Sequence, residues 1–420
     1  MQRRHGTGDF GFVARSFVLP EEADALAEAM RQEAGAASSG KQKATGELEV
    51  EVEMEVAGRT QTAGSRAADT KSADTANVWI VKPVASCRGQ GITLHRSADG
   101  PLPHDIASRR GIASTYIHPP YLMHGRKCDL RLYVAVTSWR PLVLYLHHAG
   151  LARLATEAYA LTDLDSTSKH LTNYSINKYT TPAAGGGGSN SGGGGGSRSG
   201  ADGSVGGPVD TDSRPPPPPP SGPKVGLDEF RRYLASDVGE VRAAEAWRAV
   251  DAILVKTCIA AEPLMGQAVS TYLPPNGAKC FQLFGFDVML SADCKPWVLE
   301  VNLDPSLATD SPLDLEVKAS VLTDLLNLVD AGNPNRSAAA GTEAGTEVAG
   351  RAGAIEAAEA GGVTAAEAEV VRAVDAELAR SQQGGWRRLH PSERSAAGEY
   401  APFFEPSRAR LHAGLPFRTA

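Results

Sequence analysis

The sequence predicts an α+β fold in which a mixed or antiparallel sheet is interrupted by two loose, low-complexity insertions. Three observations carry that expectation. Alternating or β-branched runs crowd between residues 77 and 180. Two stretches, about 241–271 and 313–329, repeat apolar residues at helical spacing. Around them lie Gly-, Ser-, Ala- and Pro-rich segments whose composition cannot build a packed core.

Residues 1–33 hold "FGFVARSFVLP", a short extended apolar stretch, and then "EEADALAEAMRQE", which reads as a helix. Residues 34–76 are Ala/Gly/Ser/Thr/Glu-rich. Their "ELEVEVEMEV" alternates as a strand would, but its surroundings predict a disordered insertion. In 77–181, "NVWIVKPV", "GITLHR", "DLRLYVAVT" and "LVLYLHHAGLARLA" are strand-like runs bounded by Gly, Pro and polar turns. Residues 182–223 run through a Gly/Ser tether into a proline tract, the second insertion. Order resumes at Lys224. Ala246, Val250, Ile253, Leu254, Thr257 and Cys258 mark a helix, followed by a hairpin and a helix from about Leu313 to Val329 within 224–332. Residues 333–420 read as an Ala/Glu-rich tail, partly helical or disordered. Its "GGWRRLHPSERSAAGEYAPFFEP" holds aromatics that could dock.

The five cysteines form no C-x-x-C pair, which favours free thiols in a reducing compartment over a disulfide scaffold or zinc site. No apolar run approaches the ~20 residues of a bilayer span, so a soluble intracellular protein is expected, with no membrane span. The net charge of −7 argues against nucleic-acid binding. Yet Asn77 to Thr180 holds 12 Lys/Arg against 6 Asp/Glu, leaving that segment at +6 and the remainder at −13. A basic segment in an acidic chain can receive an anionic ligand.

The hairpin "FGFDVMLSADCKPWVLEVN" spans residues 284–302. If Ser291 and Pro296 flank its turn, Asp287 lies opposite Glu300, and Asn302 shares their face. Like charges facing each other repel, and a divalent cation would compensate them. Two carboxylates and an amide are hard oxygen donors suited to Mg²⁺. Spacing alone leaves a solvent-exposed polar face without an ion as an equal alternative.

"WIVKPVASCRGQGI" puts Lys82 near the end of an apolar strand and Arg88, Gly89 and Gly91 in a turn. No Walker P-loop is present, but glycines that admit backbone N–H groups and cations that neutralise phosphate follow related logic. In "GRKCDLRLY", Lys127, Asp129 and Arg131 share one strand face. That stripe is either a surface ion-pair ladder or a polyanion clamp. Arg153 lies in mid-strand, and Thr172, Asn173, Tyr174 and Ser175 cluster hydrogen-bonding groups; His170 reads as structural. No Ser/His/Asp or Cys/His nucleophile motif stands out. Nucleotide, metal and additional arginines suit phosphoryl transfer stabilised electrostatically.

"WIVKPVASCRGQGI", "KCDLRLYVAVTSWRPLVLYL", "GLARLAT", "HLTNYSINK" and "LFGFDVML…KPWVLEVNLDPSLATDSPLDLEVK" resemble, in order, the tubulin tyrosine ligase-like family, and the last block its polyglutamylase branch. The resemblance covers roughly residues 10–32, 77–180 and 225–332. It implies an ATP-grasp fold with ATP held between β-sheets. By position, it implies Lys82, Arg88, Gly89, Gly91, Lys127 and Asp129 at the ATP phosphates and nucleotide. Ser114 to Ile117, including Tyr116, would form the adenine hinge, and Thr172 and Asn173 would border the site. Asp287, Glu300 and Asn302 would hold Mg²⁺. Arg88, Arg153, Tyr174, Ser175 and Lys318 would contact substrate, with Arg131 and Arg153 as the catalytic arginines. The implied reaction phosphorylates a glutamate side chain of a tubulin tail. The amine of free L-glutamate then displaces phosphate from the acylphosphate. Tubulin and microtubules would be the partners, and the cytoplasm and cytoskeleton, including cilium or basal body, the location.

Departures from the family pattern are specific. The family's basic segment with a nucleotide-contacting lysine precedes the point at which this sequence starts, so a truncated start is the expectation. Ser114 stands where Gln is usual and Asp304 where Ser is usual, and both insertions interrupt the domain. Leu303 after Asn302 resembles members that start side chains. The competing readings are a ligase for glycine, tyrosine or another acceptor, and an inactive microtubule-associated relative.

Overall fold

The computed structural model describes residues 1–44, 77–84, 89–172, 222–272, 280–331, 376–392, 394 and 398–404. The rest of the first insertion (45–76), most of the second (182–221) and residues 332–375 of the tail lie outside the described residues.

A short helix α1 (Gln2–Phe10) leads into β1 (Ser16–Leu19), which pairs antiparallel with β4 (Gly111–Thr115). β4 in turn pairs with β2 (Val78–Pro83), and β2 with β3 (Thr93–Arg96), giving the order β1-β4-β2-β3. Helix α2 (Ala23–Ala44) covers one face of this small sheet, burying Leu26, Ala29 and Met30 against Leu19, Trp79 and Val81. The helix continues past the boundary expected at Ala34, because an Ala-rich run with Lys and Gln favours helix over coil. A one-turn α3 (His104–Ala107) precedes β4.

The second sheet is built on β6 (Arg126–Trp139), a 14-residue strand that pairs antiparallel with β5 (Leu122–Met123), β7 (Leu142–His147), β8 (Leu151–Leu154) and β10 (Gln282–Leu290). β11 (Pro296–Asn302) forms one edge beside β10, and β9 (Lys224–Gly226) extends β8. α4 (Thr167–His170) lies near the start of β6. On one face, Leu130, Leu132, Val134, Phe286 and Val288 pack against α5 (Leu227–Val238) and α6 (Glu240–Tyr272) through Phe230, Leu234, Val250 and Leu254. On the other, Tyr133, Ala135 and Tyr145 pack under α7 (Pro312–Leu328) through Val317, Val321 and Leu325. Covering both faces explains why the middle of β6, Leu132 to Val136, is continuously apolar.

The tail contributes more than docking aromatics. β12 (Trp386–His390) pairs antiparallel with β7 and forms the other edge of the large sheet. Tyr400, Phe403 and Phe404 enter the main core, and Phe403 meets Phe10 edge-on at 5.3 Å. Among the described residues no helix is long and apolar enough to cross a membrane.

Candidate active site between the two sheets

A cleft of about 440 Å³ separates the small sheet from the end of the large one. The small sheet supplies Ile80, Lys82, Ser114 and Thr115, continuing into Tyr116 and Ile117. The large sheet supplies Lys127, Asp129, Arg153, Asp287, Met289, Glu300 and Asn302, with Thr172 beside them. Gly89 lines the turn after β2. Gly91 lies outside the lining but shapes that turn: its φ is +71°, and a Cβ there would sit 3.1 Å from Pro83.

The hairpin reaches the expected Asp287–Glu300 pairing by a different route. Its turn pairs Leu290, not Ser291, with Pro296, and Val288 with Val298. A bulge between Asp287 and Val288 shifts the register so that Asp287 faces Glu300, Phe286 faces Val301 and Gly285 faces Asn302. The additional residue is Leu299, which turns to line the cleft instead of joining the opposite face. Asn302 donates from Nδ2 to Glu300 Oε1 at 3.3 Å.

Across the large sheet, charges alternate between direct strand partners: Arg153 with Asp129, and Arg131 with Asp287. Arg131 forks onto Asp287 at 2.6 and 3.1 Å, and Arg153 bridges Asp129 at 2.6 Å and Asp287 at 2.9 Å. Thr172 donates to the second oxygen of Asp129. Gly285 makes room for this, since a Cβ there would lie 2.9 Å from Pro305 and 3.3 Å from the Arg131 side chain. Burial pushes the Asp287 carboxyl up, but Arg153 and Arg131 outweigh it and hold it well below the usual carboxylate range. Glu300, at the exposed rim, moves the other way: desolvation of its carboxyl and then its hydrogen bond with Asp287 raise it.

Lys127 forms the cleft floor toward the small sheet. Its Nζ donates to the His170 carbonyl at 2.8 Å and to Tyr116 Oη at 3.1 Å. Burial, with Lys82 adding to it against the pull of Asp129, lowers it to about 8. His170 bridges Tyr116 and the Asp163 carbonyl and is held neutral by burial, a supporting role.

Two carboxylates in contact, one of them raised, are a donor pair that a hard cation would relieve; with Asn302 the set fits Mg²⁺ completed by water and phosphate oxygens. Among the described residues no trio of His, Cys, Asp or Glu side chains gathers.

Arg131 supports the floor from beneath Asp287 and lies outside the cleft lining. Lys318 also lies outside it: on α7 it donates to the Ala308 carbonyl and sits 3.4 Å from Asp314, which Lys224 grips at 2.7 Å. Arg88, Asn173, Tyr174 and Ser175 lie outside the described residues. Sequence reasoning missed Val13, Ala14 and Ser16, which line the cleft because Phe12 accepts a backbone bond from Val298 at 2.8 Å. Nothing in "FVARS" signals that crossing, since its partner lies far along the chain.

A profile of the tubulin-tyrosine ligase family matches residues 1–197 and 219–338. The chain is 32% identical over 338 residues, 80% of its length, to tubulin monoglutamylase TTLL4 of Mus musculus, covering 22% of that protein. It is 39% identical over 254 residues, 60% of its length, to tubulin polyglutamylase TTLL5 of Homo sapiens, covering 17% of it. It is 35% identical over 260 residues, 61% of its length, to tubulin polyglutamylase TTLL6 of Mus musculus, covering 27% of it. The chain thus spans about a fifth of the length of the curated relatives it matches.

Proposed function

The chain belongs to the tubulin-tyrosine ligase family, and from that premise we propose that it is an ATP-dependent ligase joining L-glutamate to glutamate side chains of tubulin tails. The observation that carries the reading is the cleft itself: lysines on both walls face a carboxylate hairpin, with an arginine fixed between them. Relatives named as glutamylases on tubulin supply the substrate class.

In this reading the residues chiefly position anions and neutralise them. Lys82 and Lys127 receive ATP phosphates, the turn at Gly89 and Gly91 lets backbone approach them, and Tyr116 and Ile117 flank the base. Asp287, Glu300 and Asn302 would hold Mg²⁺, which would neutralise phosphate oxygens during transfer. The acceptor carboxylate takes the γ-phosphoryl group and ADP leaves. The glutamate amine then forms the isopeptide bond, losing a proton as phosphate departs. Arg153 faces the incoming amino acid in the cleft, the family pattern adds Tyr174, Ser175 and Lys318 as candidates for holding it, and Arg131 steadies Asp287. A guanidinium in the cleft suits the second carboxylate of glutamate, which glycine and tyrosine lack. Leu303 favours starting a side chain over extending one, and the work would be done on microtubules in the cytoplasm.

The test is incubation with ATP, Mg²⁺, labelled glutamate, glycine or tyrosine, and microtubules, followed by mass spectrometry of tubulin tails. Mass steps of one glutamate residue are expected. Incorporation of glycine or tyrosine instead would replace the amino acid. Nucleotide binding with no incorporation would favour an inactive relative.

A further inference from the structure

Both oxygens of Asp287 are already engaged by side chains of this chain. Arg131 donates from Nε to Oδ1 at 2.6 Å and from Nη2 to Oδ2 at 3.1 Å, while Arg153 Nη2 sits 2.9 Å from Oδ2. Asp287 and Asp129 are 2% and 3% exposed, so water cannot readily replace a lost partner. The two arginines are not equivalent. Arg131 grips a single carboxylate with both arms, whereas Arg153 straddles two, its Nε pinned by Asp129 Oδ1 at 2.6 Å. Asp129 is itself fixed by Thr172. Arg153 lines the cleft and Arg131 does not.

We propose that Asp287 couples cation binding to amino-acid binding: a divalent cation at Asp287 and Glu300 competes with Arg153 for Oδ2 and converts the freed end of that guanidinium into a receptor for a carboxylate of the incoming amino acid. The inference rests on the ligase reading above. A hard cation takes a carboxylate oxygen at close range and repels a guanidinium touching the same oxygen. Arg131 keeps Oδ1 through its Nε, so it stays, although its Nη2 also gives up Oδ2. Arg153 keeps Asp129, so it stays in place while presenting Nη2 to the cleft. Free glutamate should therefore bind weakly until the cation and nucleotide are in place. By reciprocity, glutamate should tighten their binding. An ordered site of this kind would keep the amino acid from occupying the cleft before the phosphoryl donor is positioned.

The experiment uses the full chain with a non-hydrolysable ATP analogue, read by arginine side-chain ¹⁵N NMR and by calorimetry of L-glutamate binding. Arg153→Lys identifies the Arg153 signal. Adding Mg²⁺ with the analogue is expected to shift that signal more than the Nε signal of Arg131, which keeps Oδ1. Glutamate should bind about tenfold or more tightly with Mg²⁺ than with the analogue and EDTA. Asp287→Asn should bind glutamate equally under both conditions. An unmoved Arg153 signal while Mg²⁺ binds, or parent-chain glutamate affinity indifferent to Mg²⁺, overturns the proposal. A shifted signal, no glutamate binding and Mg²⁺-dependent binding of another amino acid would overturn the glutamate reading while supporting the coupling. Should Asp287→Asn fail to fold, Glu300→Gln replaces it, since Glu300 touches neither arginine. It is expected to need more Mg²⁺ for the same Arg153 shift, and an unchanged requirement overturns the coupling.

Discussion

Asp287 and Glu300 are direct cross-strand partners whose carboxyls are driven in opposite directions, Asp287 down by its arginines and Glu300 up by desolvation and by Asp287 itself. Facing carboxylates destabilise a sheet by up to roughly 1 kcal/mol. Glu300→Gln should therefore raise the melting temperature of the metal-free chain slightly. It should also weaken the stabilisation conferred by Mg²⁺ with an ATP analogue. Thermal melts with and without the cation check both effects, and a variant protected as well as the parent contradicts the donor assignment.

Lys127 gives a pH dependence with a definite sign. Its folded pKa of about 8 lies below the ordinary lysine value of 10.5 because burial disfavours the charge. The unfolded chain thus binds more protons between about pH 8 and 10.5, and this group's contribution to stability rises through that window. The lowered pKa corresponds to a cost on the order of 3 kcal/mol for keeping the charge at neutral pH. Lys127→Met should accordingly keep or raise thermal stability at pH 7, while nucleotide affinity falls about tenfold or more. In the parent, affinity should decline as pH rises past about 8, and the variant should lack that decline. Nucleotide titrations across pH 7–9.5 decide it.

Arg153 is the shared cation of two buried carboxylates. Among the described residues, removing it leaves Asp129 hydrogen-bonded to Thr172 and takes one of two arginines from Asp287. Arg153→Met should cost about 3–5 kcal/mol in denaturant unfolding, as for other broken buried pairs. Adding Asp129→Asn should recover part of that loss, giving a non-additive double mutant. Simple additivity would contradict the network.

The fold was largely legible because its strands and helices carry strong periodicities: Cys128, Leu130 and Leu132 read as one face of β6, and they pack together in the core. The Asp287–Glu300 pairing was also legible, although the turn register was not. A bulge at Asp287/Val288 offsets a turn one rung shorter than counting from Ser291 would place it. What sequence could not supply were partners distant along the chain. The resemblance implies a catalytic role for Arg131 and a catalytic and substrate-binding one for Arg153, and the charges they meet within the chain are Asp287 and Asp129. Lys318, which the resemblance implies at the substrate, meets Asp314 and the Ala308 carbonyl and lies outside the cleft lining. β12 escaped notice because "WRRLH" has two adjacent arginines in place of alternation, and one of them, Arg387, reaches outward to Asp251 at 2.8 Å.

That strand gives the last prediction. The family match ends at residue 338, yet Trp386 is 3% exposed in the core beneath α7, packed edge-on against His147 at 4.8 Å. His147 in turn sits 2.9 Å from Asp324, which also accepts from the Gly385 amide at 2.9 Å. β12 therefore ties β7 to α7, and α7 carries Asp314 and Lys318, with Lys224 of β9 reaching Asp314 from the sheet. Trp386→Ala should cost about 3–5 kcal/mol, as expected for truncating a buried Trp. Because the strand closes an edge of the large sheet, the loss should appear as faster amide exchange in β7 and α7. The Asp287–Glu300 hairpin lies at the opposite edge and should exchange at nearly its parent rate. Exchange measured by mass spectrometry would show this gradient. Uniform loosening of both edges would mean that the sheet opens as one unit instead.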